Sequence, residues 1–437
     1  MGCKANLTDS HALEADLREL GGEPAIDEQS ADLFLLNTCT VTDQADREAG
    51  RLLRKTGSSL TIATGCLAEV DPEKLRASAP QEKQVRIVRN SAKQEISALV
   101  EEWLKGALTE QNAVLHGDRI AWHKSFLDNR DALEISKGSA APRTRAFLKV
   151  QDGCNAFCSY CVIPLARGRS RSLSADQVVK EVHEAVAAGV KEVVLTAIHA
   201  ADYDSSGLDF TGLVEKVLAE TSVPRLRLTS LDPAEIPDRL LELMETNSRL
   251  CAHFHVSLQS AGSRVLEAMK RGYRAEHIED RLAQIHRRLP HAYVGMDLIA
   301  GFPGETEEEF QEALDRLVKL PWTRAHVFPF SVRRNTAAAR LVESGHAVPE
   351  HVVRERASKL RELSDRKLSE ALARRVGSVM EVLIEGKEAR RAGRTVSFGH
   401  SRSYFKVVVP GRHAANELKR VRIVGLMGQE ELKGELI

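Results

Sequence analysis

Residues 153–161 read Gly-Cys-Asn-Ala-Phe-Cys-Ser-Tyr-Cys, a C-x3-C-x2-C run made by Cys154, Cys158 and Cys161. No other stretch restricts the chain so tightly, because three thiolates this close suit three irons of a 4Fe-4S cube. No neighbouring residue offers a fourth ligand, so one iron would stay open. Zinc is the competing metal, but a structural zinc site takes four ligands and usually pairs C-x2-C units. Three buried structural thiols would not need this spacing at all.

At 437 residues the chain exceeds the size at which one hydrophobic core stops growing, so two or three domains are expected. Lys and Arg balance Asp and Glu at 62 each, so an anionic polymer would have to be held by a local patch. No apolar run approaches the roughly 20 residues of a membrane span, and no signal peptide opens the chain, so a cytoplasmic protein without a membrane partner is expected. Seven cysteines, an odd number, suit metal ligation in a reducing compartment better than a disulfide framework.

Residues 1–105 alternate short apolar runs with helical periodicity. Ala31–Asn37 and Leu60–Thr64 suit buried parallel strands, and Ser10–Leu20 and Asp43–Lys55 read as helices. The layout is an open parallel α/β sheet. Cys3, Cys39 and Cys66 each follow a strand position or open a helix, and loops at the carboxyl ends of parallel strands meet at one crevice. Three cysteines far apart in sequence are thus expected to meet, whereas ordinary core cysteines would not share this placement. Cys3 lies so near the first residue that the strand expected to deliver it is missing.

Residues 106–142 read as an irregular linker. From 143 to 373 strands over Ala146–Gln151, Glu192–Thr196, Arg225–Thr229, His253–Leu258, Tyr293–Ile299 and Ala325–Phe330 alternate with helices. Six such units make a partial TIM-type (β/α)6 barrel, with chemistry at the carboxyl ends of its strands, and the cysteine loop follows the first strand. A charged helix, Pro349–Arg375, leads into residues 374–437, where runs over Val379–Ile384, Tyr404–Val409 and Arg420–Val424 predict a small antiparallel β-barrel. This tail holds 13 Lys and Arg against 7 Asp and Glu, a net charge of +6 in a chain whose total is zero. Positive charge gathered on a small barrel points to RNA, with solubility as the plainer explanation.

Taken together these motifs resemble the radical S-adenosylmethionine (SAM) methylthiotransferases over almost the whole chain. The resemblance rests on Gly2-Cys3-Lys4 with Asn6, Asn37-Thr-Cys-Thr-Val-Thr42, Gly65-Cys66, the cysteine loop with Tyr160 and Pro164-Leu-Ala-Arg-Gly168, Ser257-Leu-Gln-Ser260, Met269-Lys-Arg271 with Tyr273, and Gly301-Phe-Pro-Gly-Glu-Thr306. It implies two 4Fe-4S clusters, one on Cys154, Cys158 and Cys161 and one on Cys3, Cys39 and Cys66. In the family the first cluster cleaves SAM to a radical that abstracts hydrogen from an unactivated carbon, and the second presents sulfur that another SAM methylates. SAM is then expected against Tyr160, Thr196, Ser257, Gln259, Ile299 and Gly301. The tail resembles the TRAM module. Implied partners are a tRNA anticodon loop, an electron donor such as flavodoxin or ferredoxin, and a sulfur donor that the sequence does not identify.

Asn37–Thr42 and Ala166–Gly168 most resemble the branch acting on N6-threonylcarbamoyladenosine. An isopentenyladenosine branch shares the architecture, and a third branch, acting on a ribosomal-protein aspartate, is disfavoured by the +6 tail. Outside methylthiolation stand a radical-SAM enzyme using its second cluster as an electron relay, and a non-catalytic iron-sulfur redox sensor that binds RNA. Among weaker signals, Arg167, Arg169 and Arg171 suit RNA phosphate, the SAM carboxylate or plain solvent. His253 and His255 read as strand-wall residues and Cys251 as an ordinary thiol.

Overall fold

The computed structural model describes residues 3–80, 85–106, 114–115, 144–391 and 393–437. They form two compact units. One is built from described residues within 1–135 with 151–173 and 331–339, and the other from described residues within 136–150, 174–330 and 340–437. Most of the expected linker, residues 107–113 and 116–142, lies outside the described residues.

In the first unit four parallel strands lie in sequential order: β1 (Leu33–Thr38), β2 (Leu60–Gly65), β3 (Val85–Val88) and β4 (Val114–Leu115). β1 and β2 are in register from Leu33 against Leu60 to Thr38 against Gly65. Both faces are covered, which explains runs that are apolar without alternation. Leu36, Ala63 and Ile87 pack with Leu53 and Leu75 of two helices on one face, while Leu60, Ile62 and Val88 pack with Leu13, Ile96 and Val100 on the other. The helix Asp43–Lys55 has the expected bounds: Thr42 caps it by accepting from Ala45 N at 3.3 Å, and acids open it while bases close it. The first helix runs Lys4–Glu19 and so starts a turn and a half before the expected Ser10, with Cys3 at the N-cap position and its carbonyl accepting from Leu7 N at 3.0 Å. β4 is a strand in a segment expected to be a linker; two residues are too short a run to show a period.

The second unit carries six parallel strands, β5 (Arg145–Lys149), β6 (Glu192–Thr196) and β7 (Arg225–Leu228) in one sheet, and β8 (His253–Gln259), β9 (Tyr293–Ala300) and β10 (Arg324–Pro329) in another. Isolated parallel bridges, Leu226 to Leu250 and Leu231 to Val256, carry the chain from the first sheet to the second. The helix Glu350–Ala373 then packs along β10, where the Ser364 hydroxyl accepts from Ala325 N at 2.9 Å and donates to Ala325 O at 3.1 Å.

Residues 379–436 form a closed five-stranded barrel of β11 (Val379–Arg391), β12 (Arg394–Ser401), β13 (Lys406–Pro410), β14 (Leu418–Met427) and β15 (Glu431–Leu436), in the order 11-12-13-15-14. β12 and β15 were not expected from the sequence. Their apolar residues are few, and it is barrel closure that gives each a partner on both edges.

A buried ion cluster fastens this barrel to the amino ends of β6 and β7. Glu192, Arg225 and Arg227 are 0%, 0% and 1% exposed. Glu192 accepts from Arg227 Nε at 2.7 Å and lies 2.7 Å from Arg225, and the two guanidiniums donate outward to the carbonyls of His400, Ser401 and Arg402. The Tyr404 ring packs on Arg227, His253 and His400. The two arginines hold the Glu192 carboxyl down at about 2, outweighing the burial that would raise it. Its folded pKa is depressed, so its contribution is present above the ordinary carboxylate range and is lost as pH falls from about 4.5 toward about 2. Glu192→Gln should therefore destabilise the chain by on the order of 3 kcal/mol at neutral pH, because two buried cations lose their counter-charge. Urea titrations should show that loss at pH 7 and a narrower gap to wild type at acid pH; an equal gap at both would refute the assignment.

Candidate metal and cofactor sites

The first unit brings both cysteine sets into one body. Cys3 is the N-cap of the helix Lys4–Glu19, Cys39 follows β1, and Cys66 follows β2 and opens the short helix Cys66–Val70. Cys39 and Cys66 sit on neighbouring strand ends because β1 and β2 pair through Thr38 and Gly65. That approach is close: a Cβ on Gly65, whose φ is +100°, would stand 2.3 Å from Thr38 O, so the Gly-Cys pair is a backbone requirement.

Side chains from the same motifs tie the three segments together. Asn6 donates to Thr38 O at 2.8 Å, Asn37 donates to Asn6 O at 2.9 Å, and Thr38 donates to Thr64 O at 2.6 Å. Asn90 donates to Ala166 O at 2.9 Å and reaches Cys66 Sγ at 3.8 Å, which links the sheet to the segment after the cysteine loop.

The loop itself is shaped by backbone constraints. Gly153 has φ +73°, and a Cβ there would stand 2.1 Å from Arg169 O. Cys154 N donates to Gly168 O at 3.2 Å and Cys161 N to Cys158 O at 3.1 Å. Phe157 takes φ +46° and is half exposed. Cys154, Cys158, Cys161 and Tyr160 are all partly open to solvent.

Arg167 is the residue that sequence reasoning misplaced. It contacts neither solvent nor any open face: its side chain is 0% exposed. Its guanidinium donates to Asp152 Oδ1 at 2.9 Å, Asn6 Oδ1 at 2.7 Å and Asp9 Oδ2 at 2.9 Å, and Asp9 also receives Lys93 Nζ at 3.3 Å. Asp152 further accepts from Gly153 N at 2.8 Å, so the ion pair reaches the backbone next to Cys154. The signal available in sequence was Asp152 itself, a carboxylate in a segment otherwise suited to burial.

These surroundings set the chemistry of the thiols. Burial pushes the Cys39 thiol up to about 11, with Cys66 and Cys3 adding to the rise and the Val41 amide and Arg167 opposing it. Burial raises Cys66 too, against the pull of Arg167. Mutually repelling buried thiols that must ionise together fit a metal centre, which takes thiolates and releases their protons on binding. All six cysteines are free thiols.

In the second unit the expected SAM residues lie along the carboxyl ends of the strands. Thr196 ends β6, Ser257 and Gln259 end β8, and Ile299 and Gly301 end β9. Thr196 Oγ1 is buried without a hydrogen-bond partner among the described residues. Ser230 just after β7, Gln259 and Gly301 leave their strands at φ +61°, +70° and +76°. Non-glycine residues in that region are strained, and such strain gathers where a fold holds a ligand. Arg271 and Tyr273 brace this rim, donating to Ser257 O at 2.8 and 3.3 Å, and Arg271 also pairs with Asp232. Burial pushes the Asp232 carboxyl up to about 6, against the pull of Arg271. His255 pairs with Asp297 at 3.1 Å on the partly open faces of β8 and β9, an arrangement not legible before the register was known. His199 pairs with Glu235 at 2.7 Å, and Cys251 is fully buried.

Comparison with known proteins accords with this arrangement. The radical SAM superfamily model matches residues 148–317, and that of uncharacterized protein family UPF0004 matches residues 1–86. Fold and site together define a radical SAM enzyme, a class that implies a 4Fe-4S cluster and SAM. Threonylcarbamoyladenosine tRNA methylthiotransferase MtaB of Bacillus subtilis is 32% identical over 94% of this chain and 89% of its own length. MtaB of Aquifex aeolicus is 33% identical over 88% and 91%. The tRNA-2-methylthio-N(6)-dimethylallyladenosine synthase of Moorella thermoacetica is 32% identical over 100% and 97%. The chain belongs to the radical SAM methylthiotransferase family. No helix among the described residues is long and apolar enough to cross a membrane.

With metal removed, iodoacetamide at pH 8 should label Cys3, Cys154, Cys158 and Cys161 well before Cys39 and Cys66. Burial shields the latter pair, and a thiol at about 11 is ionised to roughly one part in a thousand at that pH. Peptide mass spectrometry reads the order; equal rates at all six would contradict the described environment.

Proposed function

We propose that the protein is a threonylcarbamoyladenosine tRNA methylthiotransferase, adding a methylthio group to C2 of the modified adenosine beside the anticodon. The observation that carries this reading is the gathering of two three-cysteine sets in one compact unit, joined through Arg167. A single set would serve SAM cleavage alone.

In this reading Cys154, Cys158 and Cys161 hold one 4Fe-4S cluster, and Cys3, Cys39 and Cys66 hold a second. Bound there, the first supplies the electron that cleaves SAM and the second supplies an open iron for sulfur. Thr196, Ser257, Gln259, Ile299 and Gly301 of the second unit contact SAM, with the Thr196 hydroxyl, unpartnered among the described residues, as a polar contact. Asn6, Asn90 and Arg167 orient the segments that carry the cysteines. Residues 1–105 act as the methylthiotransferase domain, 106–142 as a linker, 143–373 as a radical SAM core of partial TIM-type barrel, and 374–437 as a TRAM module contacting the tRNA. A low-potential protein such as flavodoxin or ferredoxin delivers electrons.

The small barrel supports an RNA role. Glu381, Glu385, Glu388, Glu417 and Glu431 are taken up by ion pairs, while exposed Arg390, Arg394, Arg420 and Arg422 have no carboxylate partner among the described residues. The choice of nucleoside rests on the Asn37–Thr42 and Ala166–Gly168 motifs and on the MtaB relatives.

Mass spectrometry of digested tRNA from cells with and without the gene tests the reading. The methylthio derivative of threonylcarbamoyladenosine should vanish on deletion; loss of the methylthio-isopentenyl nucleoside in its place would move the protein to the other branch. Cys158→Ala should abolish 5′-deoxyadenosine formation. Cys39→Ala should spare it and stop methylthiolation, and unchanged product would refute the second cluster.

A further inference from the structure

The second unit has a cleft of about 580 Å³ at the amino ends of β9 and β10, far along those strands from the rim that holds Ile299 and Gly301. Among the described residues its charged walls are Lys319, Lys367, Arg374 and Arg375, with His286 and His291 beside them and Glu370 as the one carboxylate. None of the four cations has an ion-pair partner among the described residues.

Two of these cations are held in place from behind. Arg375 is 9% exposed; its guanidinium lies 5.1 Å over the Phe405 ring and donates to His291 Nδ1 at 2.7 Å, and its Nε is buried with no hydrogen-bond partner among the described residues. Lys367 Nζ donates to Val318 O at 2.7 Å and Leu320 O at 2.9 Å and sits 5.7 Å from the Trp322 ring. Burial lowers both groups from their ordinary values; Glu370 opposes the effect at Lys367, and the neighbouring Arg374 adds to it at each. Cations confined together with too few anions are stabilised by an anion from outside, and a guanidinium fork beside an ammonium matches phosphate oxygens.

We propose that this cleft is a phosphate site, occupied by a backbone phosphate of the substrate RNA. The RNA source rests on the tRNA reading above. It follows from position: Arg374 and Arg375 end the long helix and lead into β11, so the cleft lies where that helix joins the basic tail.

The full-length protein carrying Lys319→Glu and Arg374→Glu, both at exposed positions, tests the site without disturbing Arg375. Filter binding of unmodified tRNA across about 50 to 200 mM salt should show affinity reduced tenfold or more and a shallower salt slope, by roughly one to two counter-ions. A control with Lys180→Glu and Arg361→Glu, exposed and outside the cleft, should keep the wild-type slope. Wild-type affinity and slope in the cleft variant overturn the site, as does an equal loss in the control. If wild type binds no RNA, the tRNA reading fails on its own account. Inorganic phosphate then decides the cleft: a rise in Tm in wild type that the cleft variant lacks keeps it as a site for free phosphate, and no such rise ends the proposal.

Discussion

A guanidinium sealed from water holds the cysteine-bearing unit together. Arg167 has no exposed surface, and a buried cation is tolerable only when carboxylates and carbonyl-type oxygens surround it. Asp152 lies immediately before the loop glycine, Asp9 and Asn6 lie on the helix that starts at Cys3, and Arg167 bonds to all three. One side chain thereby fixes the cysteine loop against the segment that carries the first of the other three cysteines. The glycines at 65 and 153 complete the arrangement by permitting backbone contacts that no other residue would allow.

The same burial that orders the site makes its thiols costly to ionise. Cys39 and Cys66 are shielded from water, which raises both thiols, so any metal taking them as thiolates would have to release their protons. Arg167 moderates that cost for both. A residue that at first reads as a surface contact for RNA is in this structure an internal counter-charge.

The second unit divides its labour between the two ends of its strands. The carboxyl ends carry unsatisfied or strained groups, Thr196, Ser230 and Gln259, supported by Arg271 and Tyr273. At the amino ends of β6 and β7, Glu192 pairs with Arg225 and Arg227, whose guanidiniums close against the carbonyls of the small barrel. Strain is thus kept where a ligand can relieve it, and buried ion pairing where a module must stay attached.

Much of this was legible from sequence, for identifiable reasons. Periodicity located the six strands of the second unit and the helix Asp43–Lys55, because a buried strand and an amphipathic helix each leave a local pattern. Cysteine spacing singled out one candidate metal site, since all three thiols lie within one loop. Local patterns failed where stability comes from distant partners. β12 and β15 exist because the barrel closes, and β4 because β3 offers an edge. Sequence alone determined which residue types were available: six cysteines in two sets, a basic tail and the order of the strands. Only the tertiary structure decided that Arg167 faces inward, that Arg225 and Arg227 share Glu192, and that Arg375 closes a cleft, because a charge is buried or exposed according to neighbours brought from elsewhere in the chain.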